Sequence, residues 1–255
     1  MTDIGELGRI ERAENGVYTI TIDRPPVNAP RFADLADLNE LVKELTDEDA
    51  MRCVVLTAAG ERGFVPGPDI TELAELTAES AEQNTDLVQE LLERIYELPV
   101  PVIGAVNGAA LGLGMAVAAV CDVRVASENA VFGLPEIDLA VLGGSAHTAR
   151  MLPPGKTRLM MYTGWRVDAF EAYRLGMVES VHAPGELMDE ARRIADTIAE
   201  KYPPAVRLAK VGLNETEDMP LMEAYAFECT LTTKLREDPE AAAVAERFLA
   251  NRKKR

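Results

Sequence analysis

Residues 100–121 (PVIGAVNGAALGLGMAVAAVC, preceded by Val100) carry no charged side chain. An apolar run of that length is what a membrane-crossing helix requires. Gly104, Gly108 and Gly112 even fall at the spacing that lets membrane helices approach closely. The residues inside the run argue otherwise. Pro101 opens it, and Asn107-Gly108 is a turn dipeptide. The run therefore divides into a buried strand over 101–106, a glycine-rich turn, and a buried helix from about Gly112. A strand apolar on both faces is a strand covered on both faces.

The flanking sequence extends this pattern. Residues 17–23 (VYTITID) alternate and are rich in β-formers, so they read as a strand. Leu35, Leu38, Leu41, Val42 and Leu45 recur at helical spacing, and residues 53–57 (CVVLT) form a short apolar strand. Residues 58–68 hold Gly60, Gly63, Gly67, Pro66 and Pro68, and read as a loop. Leu87, Val88, Leu91, Leu92, Ile95 and Leu98 form one helical stripe, stopped by Pro99. Strands are expected at 123–126 and 130–132. Strands alternating with helices imply an α/β fold with parallel pairing. Beyond residue 145 helices dominate, at 154–163, 168–175, 186–200, 204–216, 219–236 and 238–251. The one strand expected there is 178–182. The apolar faces of the last helices are expected to pack on another subunit or on the core.

Charge narrows the function classes. The 255 residues carry 26 Lys and Arg against 43 Asp and Glu, a formal charge of −17. Binding to nucleic acid or an anionic membrane needs clustered cations, so neither partner is expected. The three cysteines, Cys53, Cys121 and Cys229, are odd in number and widely spaced. They suggest neither a disulfide framework nor a metal site, and a reducing compartment follows. The first residues, MTDIGELGRIER, lack the apolar segment of a secretory leader. Cytoplasmic location is the expectation.

Two segments put glycine-rich backbone just ahead of a helix: residues 63–69 (GFVPGPD) and 107–114 (NGAALGLG). First-turn N–H groups have no partner within their helix, so they stabilise negative charge. Two such loops together can hold an oxyanion.

These segments, with RPPVNA at 24–29, FVPGPD at 64–69, the run 101–122, FGLPE at 132–136 and LGMV at 175–178, resemble the enoyl-CoA hydratase/isomerase (crotonase) family. The strings occur in the family's order and spacing, from about residue 9 to 251. The resemblance implies a ββα-spiral core over 1–190 that binds acyl-CoA. It also implies a helical C-terminal trimerisation region over 191–255, and a homotrimer or dimer of trimers. A coenzyme A thioester would be the substrate, its enolate held in an oxyanion hole, with no resident cofactor and no metal.

Carried over residue by residue, the resemblance gives an incomplete site. One oxyanion donor falls on Leu113, between Gly112 and Gly114. The other falls on Pro68, which has no N–H. Gly67 or Asp69 could offer a neighbouring N–H in its place. The family's first catalytic glutamate aligns with Ala116, and the second is present as Glu136. The resemblance further implies substrate contacts at Arg24, Asn28, Pro66, Gly67 and Asp69. It adds Ile70, Gly112, Ala116 and His147.

Blander readings stand beside these. Glu136 after Pro135 reads on its own as a turn carboxylate. Asp69 reads as the cap of a helix starting at Ile70, and Asp122 as an anchor for backbone N–H groups. Ser145, His147 and Asp138 do not make a triad, because residues two apart on a helix face apart. On a strand, however, Asp138 would face the same way as Glu136 and supply a second carboxylate. His147 either projects toward the acyl pocket or packs. His182 reads as exposed. Met151 to Met161 either flank the acyl group or fill the core. The basic end, Arg252 to Arg255, and Arg24 and Arg31 could offset the phosphates of CoA.

Hydration needs one group to activate water and another to protonate carbon. With Ala116 and Pro68 the sequence argues against the two-glutamate route. It favours single-base chemistry by Glu136: isomerisation, or hydrolysis or decarboxylation of an acyl-CoA. The alternatives are a non-catalytic CoA-thioester-binding homologue and a CoA-independent carbon–carbon bond hydrolase on the same fold.

Overall fold

The computed structural model describes residues 2–252, without the side chains of Ile70, Ala74, Ala245, Phe248, Asn251 and Arg252. In chain order the first elements are β1 (Thr2–Ile4), β2 (Gly8–Arg12), β3 (Val17–Ile22), α1 (Phe32–Thr46), β4 (Cys53–Ala58), β5 (Gly63–Val65), α2 (Ile70–Ala74) and α3 (Ala78–Glu97). The apolar run becomes β6 (Val102–Val106), β7 (Ala109–Leu111) and α4 (Leu113–Val120). Then come β8 (Val123–Ser127), β9 (Val131–Gly133), a 3-10 helix (Pro135–Leu139), α5 (Ser145–Thr148), α6 (Pro154–Thr163), β10 (Arg166–Asp168), α7 (Ala169–Leu175) and β11 (Ser180–His182). Four helices finish the chain: α8 (Leu187–Ala199), α9 (Pro203–Thr216), α10 (Leu221–Arg236) and α11 (Pro239–Arg252).

The strands form two sheets. One has the order β1-β2-β3-β4-β6-β8-β11, and the other β10-β9-β7-β5. The pairs β4·β6 and β6·β8 are parallel in the first sheet, as β5·β7 and β7·β9 are in the second. Each turn of chain thus adds one strand to each sheet and then moves on by one place. This is the ββα spiral.

Side-chain alternation explains why the strands of the large sheet read as continuous apolar runs. In β4, Val54, Leu56 and Ala58 join the main core, while Cys53 and Val55 face the other way into a smaller cluster. In β6, Val102 and Val106 take the first side, Ile103 and Ala105 the second. The main core is closed by α1, α3 and α4; all eight residues of α4 are buried. The second side is closed by α8, whose Leu187, Ala191 and Ala195 recur every four residues. Residue 190 therefore lies within α8. Two of the free cysteines, Cys53 and Cys121, are buried and the third, Cys229, is exposed.

Several elements differ from the sequence expectation. At the N-terminus β1 pairs antiparallel with β2, and β2 antiparallel with β3, not in parallel. Their connections are too short for the crossover that parallel pairing needs. The supposed loop 58–68 contains β5, the supposed turn after β6 contains β7, and β10 interrupts the helical half. Each has three residues, too few to show a period, and each is held by its sheet neighbours rather than by its own propensity. His182 is half-buried and its Nε2 lies 2.7 Å from Ser180 Oγ, so it is not simply exposed.

Among the described residues no helix is long and apolar enough to cross a membrane. Asp122 does anchor backbone: its Oδ2 accepts from Val102 N at 2.7 Å. It also holds the buried ammonium of Lys210 on α9 at 2.8 Å, a contact that ties α9 to β6. By contrast α10 buries none of its residues, and Leu221, Met222 and Tyr225 are exposed on it.

Candidate active site

Three neighbouring parallel strands end at one edge of the small sheet. They are β5, β7 and β9, with β7 in the middle. Each hands the chain to one part of the site. Pro66-Gly67-Pro68 follows β5, Gly112-Leu113 follows β7, and Leu134-Pro135-Glu136 follows β9. Adjacent strands stand about 4.8 Å apart. Leu113 is therefore flanked by the Pro68 loop on one side and by Glu136 on the other, which brings together residues 68 positions apart.

The central piece is the most tightly determined. Gly112 N donates to Gly133 O at 3.0 Å. Gly112 then turns the chain into α4 at φ 55°, ψ −111°, a conformation that favours glycine. Leu113 becomes the first residue of α4, so its N–H points out of the helix start. The close approach at Gly114 is equally demanding: a β-carbon there would stand 1.8 Å from Val65 O. The bare glycine lets α4 dock on the end of β5, and this sets the spacing between the two loops.

The β5 side lacks a donor where the resemblance places one. Pro68 has no N–H. Asp69 does not replace it, because Asp69 N donates to Pro30 O at 3.0 Å. Its carboxylate caps α2, accepting from Thr71 N at 2.9 Å, and that bond holds it below the usual carboxylate range. Among the described residues Gly67 N–H donates to no backbone carbonyl, so it is the donor left on this loop. Pro66 is half-buried and Gly67 buried. The side chains of Ile70 and Arg252 lie outside the described residues, as do residues 253–255 of the basic end.

Glu136 lies in the 3-10 helix, where its carbonyl accepts from Val141 N at 3.1 Å. Its Oε2 is buried without a hydrogen-bond partner, and burial pushes the carboxyl above its ordinary value. The expectation that Asp138 faces the same way fails. A 3-10 helix turns every three residues, so positions two apart diverge, and Asp138 is exposed beside Gly164. Ala116 is 2% exposed, and Gly144 closes over it: a β-carbon at 144 would lie 3.8 Å from the Ala116 methyl. Sequence reasoning missed Gly144 and Gly114. A glycine's importance here depends on what its absent side chain would strike, which spacing alone does not reveal.

The remaining candidates mostly hold the frame. Asn28, at φ 63°, accepts from Arg24 N and donates to Ala59 O at 2.8 Å and Gly63 O at 2.7 Å. It ties the 24–28 turn to the start of β5. Arg24 pairs with buried Asp34 at 2.7 Å and donates to Ala29 O. Arg31 reaches the same carboxylate at 2.6 Å and also Glu6. Burial alone would raise the Asp34 carboxyl, but the Arg31 hydrogen bonds outweigh it and the net shift is downward. His147 on α5 has its Nδ1 buried without a partner, and burial, with Arg150 nearby, holds the imidazole below its usual range. Met151, Met160 and Met161 are buried in the core. Among the described residues no three His, Cys, Asp or Glu side chains cluster as metal ligands.

Comparison with known proteins agrees with this architecture. Residues 12–255 match the family model described as enoyl-CoA hydratase/isomerase. The short-chain-enoyl-CoA hydratase of Clostridium acetobutylicum is 36% identical over 219 residues, covering 84% of this chain and 84% of that protein. The carnitinyl-CoA dehydratase of Escherichia coli is 36% identical over 214 residues, covering 83% and 82%. The crystal structure of an enoyl-CoA hydratase from Bacillus anthracis superposes with a TM-score of 0.92 at 30% identity, covering 96% of each chain. With its motif order, two-sheet spiral and three-loop site, the chain belongs to the enoyl-CoA hydratase/isomerase family.

Proposed function

We propose that this protein moves a proton at the carbon next to the carbonyl of an acyl-CoA thioester, with Glu136 as the single base and acid. The observation that carries this reading is the pairing of a desolvated Glu136 with an alanine at position 116. Oε2 of Glu136 is buried without a partner, and Ala116 supplies no second carboxylate. A carboxyl raised by burial is better matched to carbon acids near neutral pH than an ordinary one.

The geometry supports the following mechanism. The thioester oxygen is placed against Leu113 N–H at the start of α4, with Gly67 N–H as the second donor. Glu136 takes a proton from the α-carbon, the electron pair moves onto the carbonyl oxygen, and the enolate is held by those donors. Returning the proton two carbons further along shifts a double bond, which is isomerisation. Efficient hydration would need a second carboxylate to activate water. The protein works without a resident cofactor, and CoA is part of the substrate. The exposed apolar residues of α10 support assembly with further copies of the chain as a trimer or a dimer of trimers.

The test is calorimetric titration with acetoacetyl-CoA while enolate absorbance is followed. Binding with an enolate band is the expected result. Binding without it would favour a CoA-thioester-binding homologue without catalysis. No binding would favour a CoA-independent reaction on this fold.

A further inference from the structure

The carboxylate of Glu136 rests directly on the α-carbon of Gly112. A β-carbon built at Gly112 would lie 2.7 Å from Glu136 Oε1, 2.9 Å from its Cδ and 3.3 Å from its Cγ. The first two are closer than real β-carbons approach and the third is tight, so the side chain occupies the space that any other residue at 112 would fill. Gly112 is also fixed from its own side, through its N–H to Gly133 O and its carbonyl to Ala116 N at 3.1 Å. It cannot retreat without loosening β7 from β9 or unwinding the first turn of α4.

We propose that Gly112 is a positioning residue for Glu136: its bare α-carbon is the surface that sets how far the carboxylate sits from the oxyanion donor one residue later, Leu113 N–H. The contact does two things. It fixes the base at the end of the chain nearest the enolate, which directs it to the α-carbon of the thioester. It also helps keep water from Oε2, whose lack of a partner accompanies the upward shift of the carboxyl. The inference rests on the reading of Glu136 as the proton-transfer group.

Gly112→Ala adds the one methyl that this contact forbids, but the positive φ of Gly112 penalises alanine as well. A double-mutant cycle separates the two effects. Melting temperature is measured for the wild type, G112A, E136A and G112A/E136A, each as the full chain. Backbone strain is the same in both backgrounds, whereas the steric contact exists only where Glu136 is present. The expected result is that G112A lowers Tm markedly less in the E136A background. If G112A does not fold, recovery of a folded G112A/E136A protein is the equivalent result. Equal losses in both backgrounds, or no folded double variant, would overturn the proposal.

The functional arm follows exchange of α-protons of butyryl-CoA into deuterated water as a function of pH, with E136Q alongside. Displacement of a reacting group by about 1 Å is worth ~10²-fold in rate. A loss of that order is expected for folded G112A, with its pH profile moved toward that of an ordinary carboxylate. A rate loss with an unmoved pH profile would overturn the positioning role and leave the base reading intact. Exchange unchanged in E136Q would overturn the base reading, and the positioning role with it.

Discussion

The loops after β5 and β7 begin alike and end differently. Both pass through glycine into a helix at the same edge of the small sheet. The β7 loop enters α4, eight residues long and wholly buried, and presents the N–H of Leu113. The β5 loop enters α2, five residues long, and places Pro68 where a donor is expected; its next N–H is already given to Pro30 O. One loop is built into the core and keeps its donor. The other is braced by local bonds, the cap on Thr71 among them, and has lost it. The two loops differ in anchoring: α4 is wholly buried and its first N–H is left unpaired within the helix, whereas the turn before α2 spends its next N–H on Pro30.

The contrast can be sharpened by four measurements. The largest effect is expected outside both loops: Glu136→Gln should lower α-proton exchange by ~10²–10⁴-fold, the range for loss of a general base. Exchange at wild-type rate would remove the chemical reason for comparing the loops at all. Next, Leu113→Pro makes the β7 loop resemble the β5 loop. Proline is tolerated at the first position of a helix, so the donor is lost with modest structural cost. Enolate formation should fall by ~10²–10³-fold, as when an oxyanion donor is removed elsewhere. A smaller loss than this would show that Leu113 does not carry the charge.

The reverse change, Pro68→Ala, returns an N–H to the β5 loop. Enolate absorbance with acetoacetyl-CoA should rise by up to ~10²-fold. No rise would mean that Gly67 already serves, and that the loops are less unequal than they look. The smallest effect concerns stability. The Glu136 carboxyl is raised in the fold by burial. Its contribution is fully present below the ordinary value of 4.5 and is lost as pH rises through the raised value. Tm of E136Q should therefore gain on the wild type as pH increases from 4.5. A constant difference across that window would contradict the desolvated carboxylate.

The long elements were legible in the sequence because each buries one face or both. The stripe ending at Leu98 gives α3, and the uncharged run gives β6 and α4. The short strands β5, β7 and β10 were not, since three residues have no period and take their conformation from neighbours. Yet β5 and β7 position the site. The motif strings located Glu136, Leu113 and Pro68 without showing that three adjacent strands deliver them. The condition on which Asp138 would face as Glu136 does, a strand, is not met for a local reason: Pro135 starts a 3-10 turn there. Lys210 gave no sign in the sequence because a lysine on a helix does not announce that it will be buried against a half-buried aspartate far back in the chain.

The docking of Gly114 on Val65 O fixes the gap between the two loops with backbone on both sides. Side-chain replacements around the site leave such a gauge unchanged. Ala116 stands on the same helix two residues further on, buried and small, and takes no part in that backbone contact. The spacing of the two loops is thus a property of the backbone, set apart from the side chains that line it.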